Sequence, residues 1–186
     1  MMEREQALTL LQRYIKNENM IKHSLASETV LRALAKELGE DVNKWGIAGL
    51  LHDIDVEITN ADLNIHTKEG VKILRDEGID DDIIEAIRLH NEVPYPGEKR
   101  STRLQHALAS GETVTGLIIA TALVYPDKRL EGVKVKSVTK RMKEKAFARS
   151  VNRDVIMECE NVDLEVNRFI EIALGAMQKI SHKLGL

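Results

Sequence analysis

The chain has 186 residues, 43% of them hydrophobic and 31% charged, with a net charge of −3; this is ample for one cored domain and too apolar for intrinsic disorder. Aromatic residues make up only 3%, so Leu, Ile, Val and Ala must fill the core, which favours helices over a β-sandwich. Cys159 is the single cysteine, which excludes an intrachain disulfide and a thiolate metal cage.

In chain order, helical periodicity predicts "REQALTLLQRYI" (4–15) and "MIKHSLASETVLRALAKELG" (20–39) as the first two helices, the second stopped by Gly39. The charged start "MMEREQ" carries no apolar leader region, so a cytoplasmic location is expected. A third helix spans 41–54 with Asp41 as its cap, a fourth 66–78, and a fifth opens at Asp80 or Asp81. Pro94 and Pro96 mark a loop, and Pro126 ends a long helix that begins near Ser101. Within it, "GLIIATALVY" (116–125) is too short to span a bilayer, and no membrane partner is expected.

The alternation in "GVKVKSV" (132–138) admits a short strand or hairpin. Helix then resumes to the C-terminus. The break near 126–136 suggests a bundle over 1–126 and a basic, helical appendage over 127–186, packed together as one unit. "FIEIALGAMQKI" (169–180) is amphipathic enough to pack on its own core or to form a homodimer surface. Residues 128–149 hold nine lysines and arginines against Glu131 and Glu144. Such a segment is either a solvated face or an attractor for an anionic ligand such as a phosphate ester. A nucleic-acid partner is disfavoured, because Phe147 is the only aromatic residue there.

Six ionisable residues fall where apolar ones are expected. His23 begins the stripe His23, Ala26, Val30, Ala33; His90 follows Ile83 and Ile87; Glu112 sits among Leu104, Leu108, Thr115 and Ile119. His66 precedes Gly70 and Ile73 on a face with nothing to crowd the ring, and His52 and Asp53 close the third helix. Each alone reads as a hydrogen-bonded core residue. Six converging imidazoles and carboxylates are instead the ligand set of a divalent metal. They exceed one tetrahedral zinc and suit two metals with a bridging carboxylate.

The ordered set His23, "HD" at 52–53, His66, His90 and a later acid resembles the HD-domain superfamily of metal-dependent phosphohydrolases. The likeness runs through "GIAGLLHDIDVE", "IHTKEGVKILRDEGIDDDIIEAIRLHNE" and "VTGLIIATALVYPDK", roughly residues 18–180. It implies an all-α bundle aiming these side chains at one site. His23, His52, Asp53 and Glu112 would hold one metal; His66 and His90 would hold a second, with Asp53 bridging. Two departures stand out. The family's late acid is normally aspartate, where "GETVTG" places Glu112; and "HDIG" followed by lysine is here "HDID" followed by Val56. Asp55 is surplus to the ligand count and could cap the turn or hold a histidine that lies behind the ligands.

The activity implied is hydrolysis of a phosphate ester or anhydride, most naturally a nucleotide, using Fe, Mn, Co, Ni or Zn. Asp53 would be the catalytic carboxylate. Lys99, Arg100, Lys140 and Arg149 are the candidates to orient substrate. Two alternatives share the scaffold: a di-iron oxygenase, and a degenerate member that binds a nucleotide or partner without turning it over. His106 and His182 fall outside the set: His106 reads as a surface residue or a support behind the ligands, and His182 as solvated.

Overall fold

The structure, a computed structural model, describes residues 2–186. Ten α-helices and one short 3₁₀ turn account for its regular elements, with no strand among the described residues. The all-α expectation therefore holds. The helices run α1 Arg4–Tyr14, α2 Glu18–Leu38, α3 Val42–Leu51, α4 Lys68–Asp76, α5 Asp81–His90 and α6 Arg103–Leu123. They continue with α7 Val135–Lys143, α8 Arg153–Met157, the 3₁₀ turn Glu158–Val162, α9 Val166–Lys179 and α10 Ser181–Leu184.

The helix ends follow local chemistry. The Asn17 side chain accepts from the first free backbone N–H groups of α2, Asp41 does so for α3, and Thr102 pairs reciprocally with Gln105 at the start of α6. Gly39 closes α2 in the left-handed region at φ +70°, a conformation glycine adopts without steric cost. The third helix stops at Leu51, and residues 52–67 continue as linked turns.

The two long helices, α2 and α6, form the centre, with α3 and α9 laid against α2 and α5 against α6. Val30, Leu31, Leu34, Leu108, Val114, Leu117 and Ile118 are all sealed from solvent between them. Each such aliphatic side chain contributes about 1.5–3 kcal/mol relative to exposure. The α2–α3 contact is close because Gly49 lacks a side chain: a Cβ there would stand 2.8 Å from the Ser27 carbonyl oxygen. Phe169, Ile170, Ala173, Leu174 and Met177 turn the apolar stripe of α9 into this core, so that stripe packs on its own chain.

The strand admitted for 132–138 is corrected. Val133 ends a turn and α7 begins at Val135. Val135, Val138 and Met142 lie on the core side of that helix, a three-four spacing that a helix can bury against α6 and α9, whereas a lone strand would find no ladder partner in an all-helical bundle. Lys136, Lys140 and Lys143 are left on the outer face.

Candidate metal centre

Six side chains from five places along the chain meet at one end of this core. His23 comes from the first turns of α2, His52 and Asp53 from the turn after α3, His66 from the loop before α4, His90 from the last position of α5, and Glu112 from the middle of α6. The imidazoles form a connected row: ring centres are 4.9 Å apart for His23 and His52, 5.1 Å for His52 and His90, and 5.0 Å for His90 and His66, all edge-on.

Asp53 lies in the middle, and its two oxygens divide the row. Oδ2 is 3.5 Å from His23 Nε2 and 3.3 Å from His52 Nε2; Oδ1 is 3.2 Å from His66 Nε2 and 3.3 Å from His90 Nε2. Glu112 Oε2 stands 3.9 Å from His23 Nε2, on the His23–His52 side. Within this cluster, His23, His52 and Glu112 form one group of mutually close donor atoms, and His52, Asp53 and His90 another.

The outer nitrogen of every ring is engaged, which decides what the inner nitrogen can do. His52 Nδ1 lies 2.9 Å from the Gly49 carbonyl and His90 Nδ1 2.6 Å from that of Ile87. His66 Nδ1 lies 2.6 Å from the Asp55 carboxylate. A carbonyl or carboxylate only accepts, so each of these nitrogens carries the proton. The Thr115 hydroxyl donates to the Glu112 carbonyl at 2.6 Å, leaving its oxygen to accept from His23 Nδ1 at 3.2 Å.

All four Nε2 atoms of the neutral rings therefore present lone pairs inward. Two pairs of them face one another at 3.0 Å (His23, His52) and 3.2 Å (His66, His90). Facing lone pairs repel unless a cation or a proton lies between them. Donors bound about 2.1 Å from one ion stand roughly 3.0–3.4 Å apart, so the donor set fits divalent metal. Outer hydrogen bonds that fix the tautomer are the usual support of metal-bound histidine.

Without metal, protons do part of that work. Burial opposes charge on His66, but Asp53 and Asp55 outweigh it and raise His66 to about 9. Burial, helped by the positive charge of His52, lowers His23 to about 4. Burial, with a smaller push from Asp53, raises Glu112 to about 7 against the pull of His52 and Thr113. Asp53 is also penalised by burial, yet His52, His66 and His90 hold it well below the usual carboxylate range.

Metal must displace the proton of His66 and, below about pH 7, that of Glu112 as well. Affinity should therefore rise with pH and fall on acidification, by roughly tenfold per pH unit for each proton displaced. Calorimetric Mn²⁺ titrations at pH 6, 7 and 8 check this. A flat profile would contradict it.

Asp55 does neither thing in the form expected: the histidine it holds belongs to the cluster itself, and the cap it supplies is to α4 rather than to its own turn. It is fully buried, holds His66 Nδ1, and accepts the backbone N–H groups of Thr67 and Gly70 at the start of α4. Thr115, the partner of His23, was read only as part of an apolar stripe. Its signal was its placement three residues after Glu112, where a helical threonine can turn its hydroxyl back to a carbonyl.

The residues expected to orient substrate are scattered. The Arg100 guanidinium is committed: it makes a two-pronged pair with Glu158 at 2.6 and 2.8 Å and donates to the Leu89 carbonyl at 2.6 Å, with only 4% of the side chain exposed. Lys99 is exposed beside it. Lys140 lies on the outer face of α7, 3.9 Å from Glu144. Arg149 is exposed in the loop 144–152. Arg153 pins that loop by donating to the Ala148 and Val151 carbonyls at 2.7 Å, and Val151 packs over Gly116, one turn beyond Glu112. His106 pairs with Glu158 at 2.8 Å, outside the cluster.

An all-helical bundle that turns four histidines and two carboxylates onto one centre defines a class of metal-binding domain. The family model for the HD domain matches residues 20–119, a span that includes all six groups, and the chain belongs to the HD-domain family. The family lies in the superfamily of metal-dependent phosphohydrolases. Among curated proteins, the chain is similar to ribonuclease Y of Pseudothermotoga lettingae, 30% identical over 148 residues, or 78% of this chain and 29% of that protein. It is similar as well to ribonuclease Y of Staphylococcus epidermidis, 32% identical over 148 residues, 78% of this chain and 28% of the relative. Ribonuclease Y of Aquifex aeolicus is 39% identical over 83 residues, covering 43% of this chain and 15% of the relative. The chain thus spans under a third of the length of these relatives. Among the described residues no helix is long and apolar enough to cross a membrane.

Proposed function

We propose that this chain is a divalent-metal-dependent hydrolase of phosphate esters or anhydrides, with a nucleotide or related small molecule as substrate. The observation that carries this reading is the set of four inward Nε2 lone pairs, each with its Nδ1 proton held outside, around a carboxylate kept charged. His23, His52 and Glu112 with Asp53 Oδ2 would hold one ion; His66 and His90 with Asp53 Oδ1 would hold a second. Bound there, the metal supplies Lewis-acid neutralisation of phosphoryl oxygens and acidifies water.

The protein's own groups divide the remaining work. Asp53, its charge stabilised by three imidazoles, serves as the shared electrostatic anchor and is a poor proton acceptor. Glu112 keeps 19% of its side chain exposed on the open side, where its carboxylate can meet water and exchange a proton. Lys99, after α5, and Arg149, in the loop that Arg153 pins, are exposed cations that would meet a phosphate in this reading.

A small substrate suits the surface better than a polynucleotide. Base stacking needs free aromatic faces, yet the Arg141 guanidinium covers one face of Phe147 and that of Arg88 one face of Tyr95, each 4.5 Å from the ring centre, Trp45 and Phe169 are buried, and Tyr14 and Tyr125 are half-buried against the core. An RNA phosphodiester is the second reading, favoured by the name ribonuclease Y carried by the relatives.

The test is to load purified protein with Mn²⁺, Co²⁺, Fe²⁺, Ni²⁺ or Zn²⁺ and assay nucleoside mono-, di- and triphosphates, a chromogenic phosphodiester and a labelled RNA oligonucleotide. Metal-dependent release of phosphate or nucleotide is expected. Cleavage of RNA alone selects the second reading. Persistent binding of a nucleotide without turnover at full metal occupancy would indicate a degenerate member, and substrate-dependent oxygen uptake by an iron-loaded sample would indicate an oxygenase. Either outcome sinks the proposal.

A further inference from the structure

The outer partners of the four histidines are not alike. His52 and His90 donate to backbone carbonyls three residues earlier in their own chain segments, partners that no side-chain substitution removes. His23 meets a threonine hydroxyl. His66, by contrast, is held by a charged side chain, the carboxylate of Asp55, which stands outside the ligand set expected from the sequence.

Asp55 is built into its place from several directions. It has 0% exposure. Its Oδ1 accepts from His66 Nδ1 at 2.6 Å, and its Oδ2 accepts from the backbone N–H of Thr67 at 2.8 Å and of Gly70 at 2.7 Å. These N–H groups open α4, whose flanking residue Thr67 offers no side-chain cap; Asp55 caps the helix from another segment. Thr67 sits at φ +78°, rare for a β-branched residue and kept only where the surroundings enforce it. Gly70 closes the other side, where a Cβ would stand 3.3 Å from the carboxylate and press on it. Three N–H donors converge on one group, and only a group without protons of its own accepts from all three.

We infer that Asp55 is a positioning residue that locks His66 in its Nδ1–H tautomer, and that this lock gives the centre its second metal position. The inference rests on the metal-centre reading above. With the proton held on Nδ1, His66 Nε2 offers its lone pair beside His90 Nε2 and Asp53 Oδ1, both 3.2 Å away. An asparagine has the same shape and only one acceptor oxygen. If that oxygen serves Thr67 and Gly70, the amide NH₂ faces His66 Nδ1 and demands a lone pair there. The ring proton then moves to Nε2, where it points at Asp53 and blocks ligation. If the amide is turned over, its NH₂ opposes two backbone N–H groups and α4 loses its cap. The turned-over amide keeps the Nδ1–H tautomer but makes one hydrogen bond in place of three and sets its NH₂ against two N–H groups, so the first arrangement is favoured; it removes His66 as a ligand while leaving every ligand residue in place.

The experiment compares wild type with Asp55→Asn. Long-range ¹H–¹⁵N correlation spectra of the metal-free, histidine-labelled proteins, recorded above the titration of His66, read the tautomer directly. Calorimetric Mn²⁺ titration and metal analysis after desalting read the number of ions. The wild type is expected to show His66 as Nδ1–H and to bind two ions per chain. The variant should show Nε2–H or a mixture, with the second ion weakened roughly 10–100-fold or more and the first retained.

Should Asp55→Asn fail to fold by circular dichroism, the double variant Asp55→Asn, Thr67→Gly relieves the positive-φ strain and carries the same measurement. An unchanged His66 tautomer, a variant that binds two ions with wild-type affinity, or a wild type that binds only one would overturn the inference. A wild type with the expected tautomer that takes up no metal at all would overturn the proposed function and the second half of this inference. The role of Asp55 in fixing the ring would stand.

Discussion

Asp53→Asn should abolish stable metal retention and, with it, metal-dependent turnover. Asp53 approaches all four imidazoles, through separate oxygens for the two pairs. The amide keeps the shape, so the fold survives. It removes the charge that offsets a divalent ion and replaces one acceptor oxygen by an NH₂ group, which repels both the ion and any neighbouring ring proton. Loss of a partner that merely orients a ligand costs about 10–100-fold; loss of the shared central ligand should exceed that by at least a further order of magnitude. Metal content after desalting and the hydrolysis rate with added Mn²⁺ measure it. A variant that keeps two ions would show that Asp53 is not the bridge.

The second large effect lies away from the centre. Glu158→Ala should cost up to about 3–5 kcal/mol, because it leaves the buried Arg100 guanidinium with only the exposed Glu92 carboxylate, 3.4 Å away, as counter-ion. Arg100 also donates to the carbonyl of Leu89, the residue before His90, so the end of α5 should loosen and metal affinity fall with stability. Urea unfolding of metal-free protein gives the first number and Mn²⁺ titration the second. The double replacement Arg100→Met, Glu158→Leu should recover most of the stability, since removing both buried charges removes the desolvation they impose. A loss under about 1 kcal/mol for Glu158→Ala would mean that the pair behaves as an exposed one.

The same two residues show where reading the sequence reached its limit. The place of Arg100 in the loop after His90 suggests a substrate contact. Its actual partner, Glu158, is 58 positions away, and no local spacing announces a contact at that range. The short alternating run at 132–138 failed differently: alternation over a few residues suits a strand, but Val135, Val138 and Met142 also suit a helix, and the bundle offers no strand to pair with. Lys140 and Arg149 were marked by charge alone, which says that a face is wet but not what it faces.

What the sequence determined by itself was the helical class, most helix ends, and the presence of six chemistry-bearing groups among apolar positions. These depend on short-range rules: the 3.6-residue period, capping side chains, and the cost of placing imidazole or carboxylate in a core. Tertiary structure alone decided what surrounds those groups. It set which nitrogen of each ring carries its proton, which oxygen of Asp53 serves which pair, and that Asp55 turns inward to hold His66 and cap α4. Those outcomes rest on hydrogen bonds between segments brought together only when α2, α3, α5 and α6 pack, and a buried donor takes whatever acceptor the packed neighbours supply.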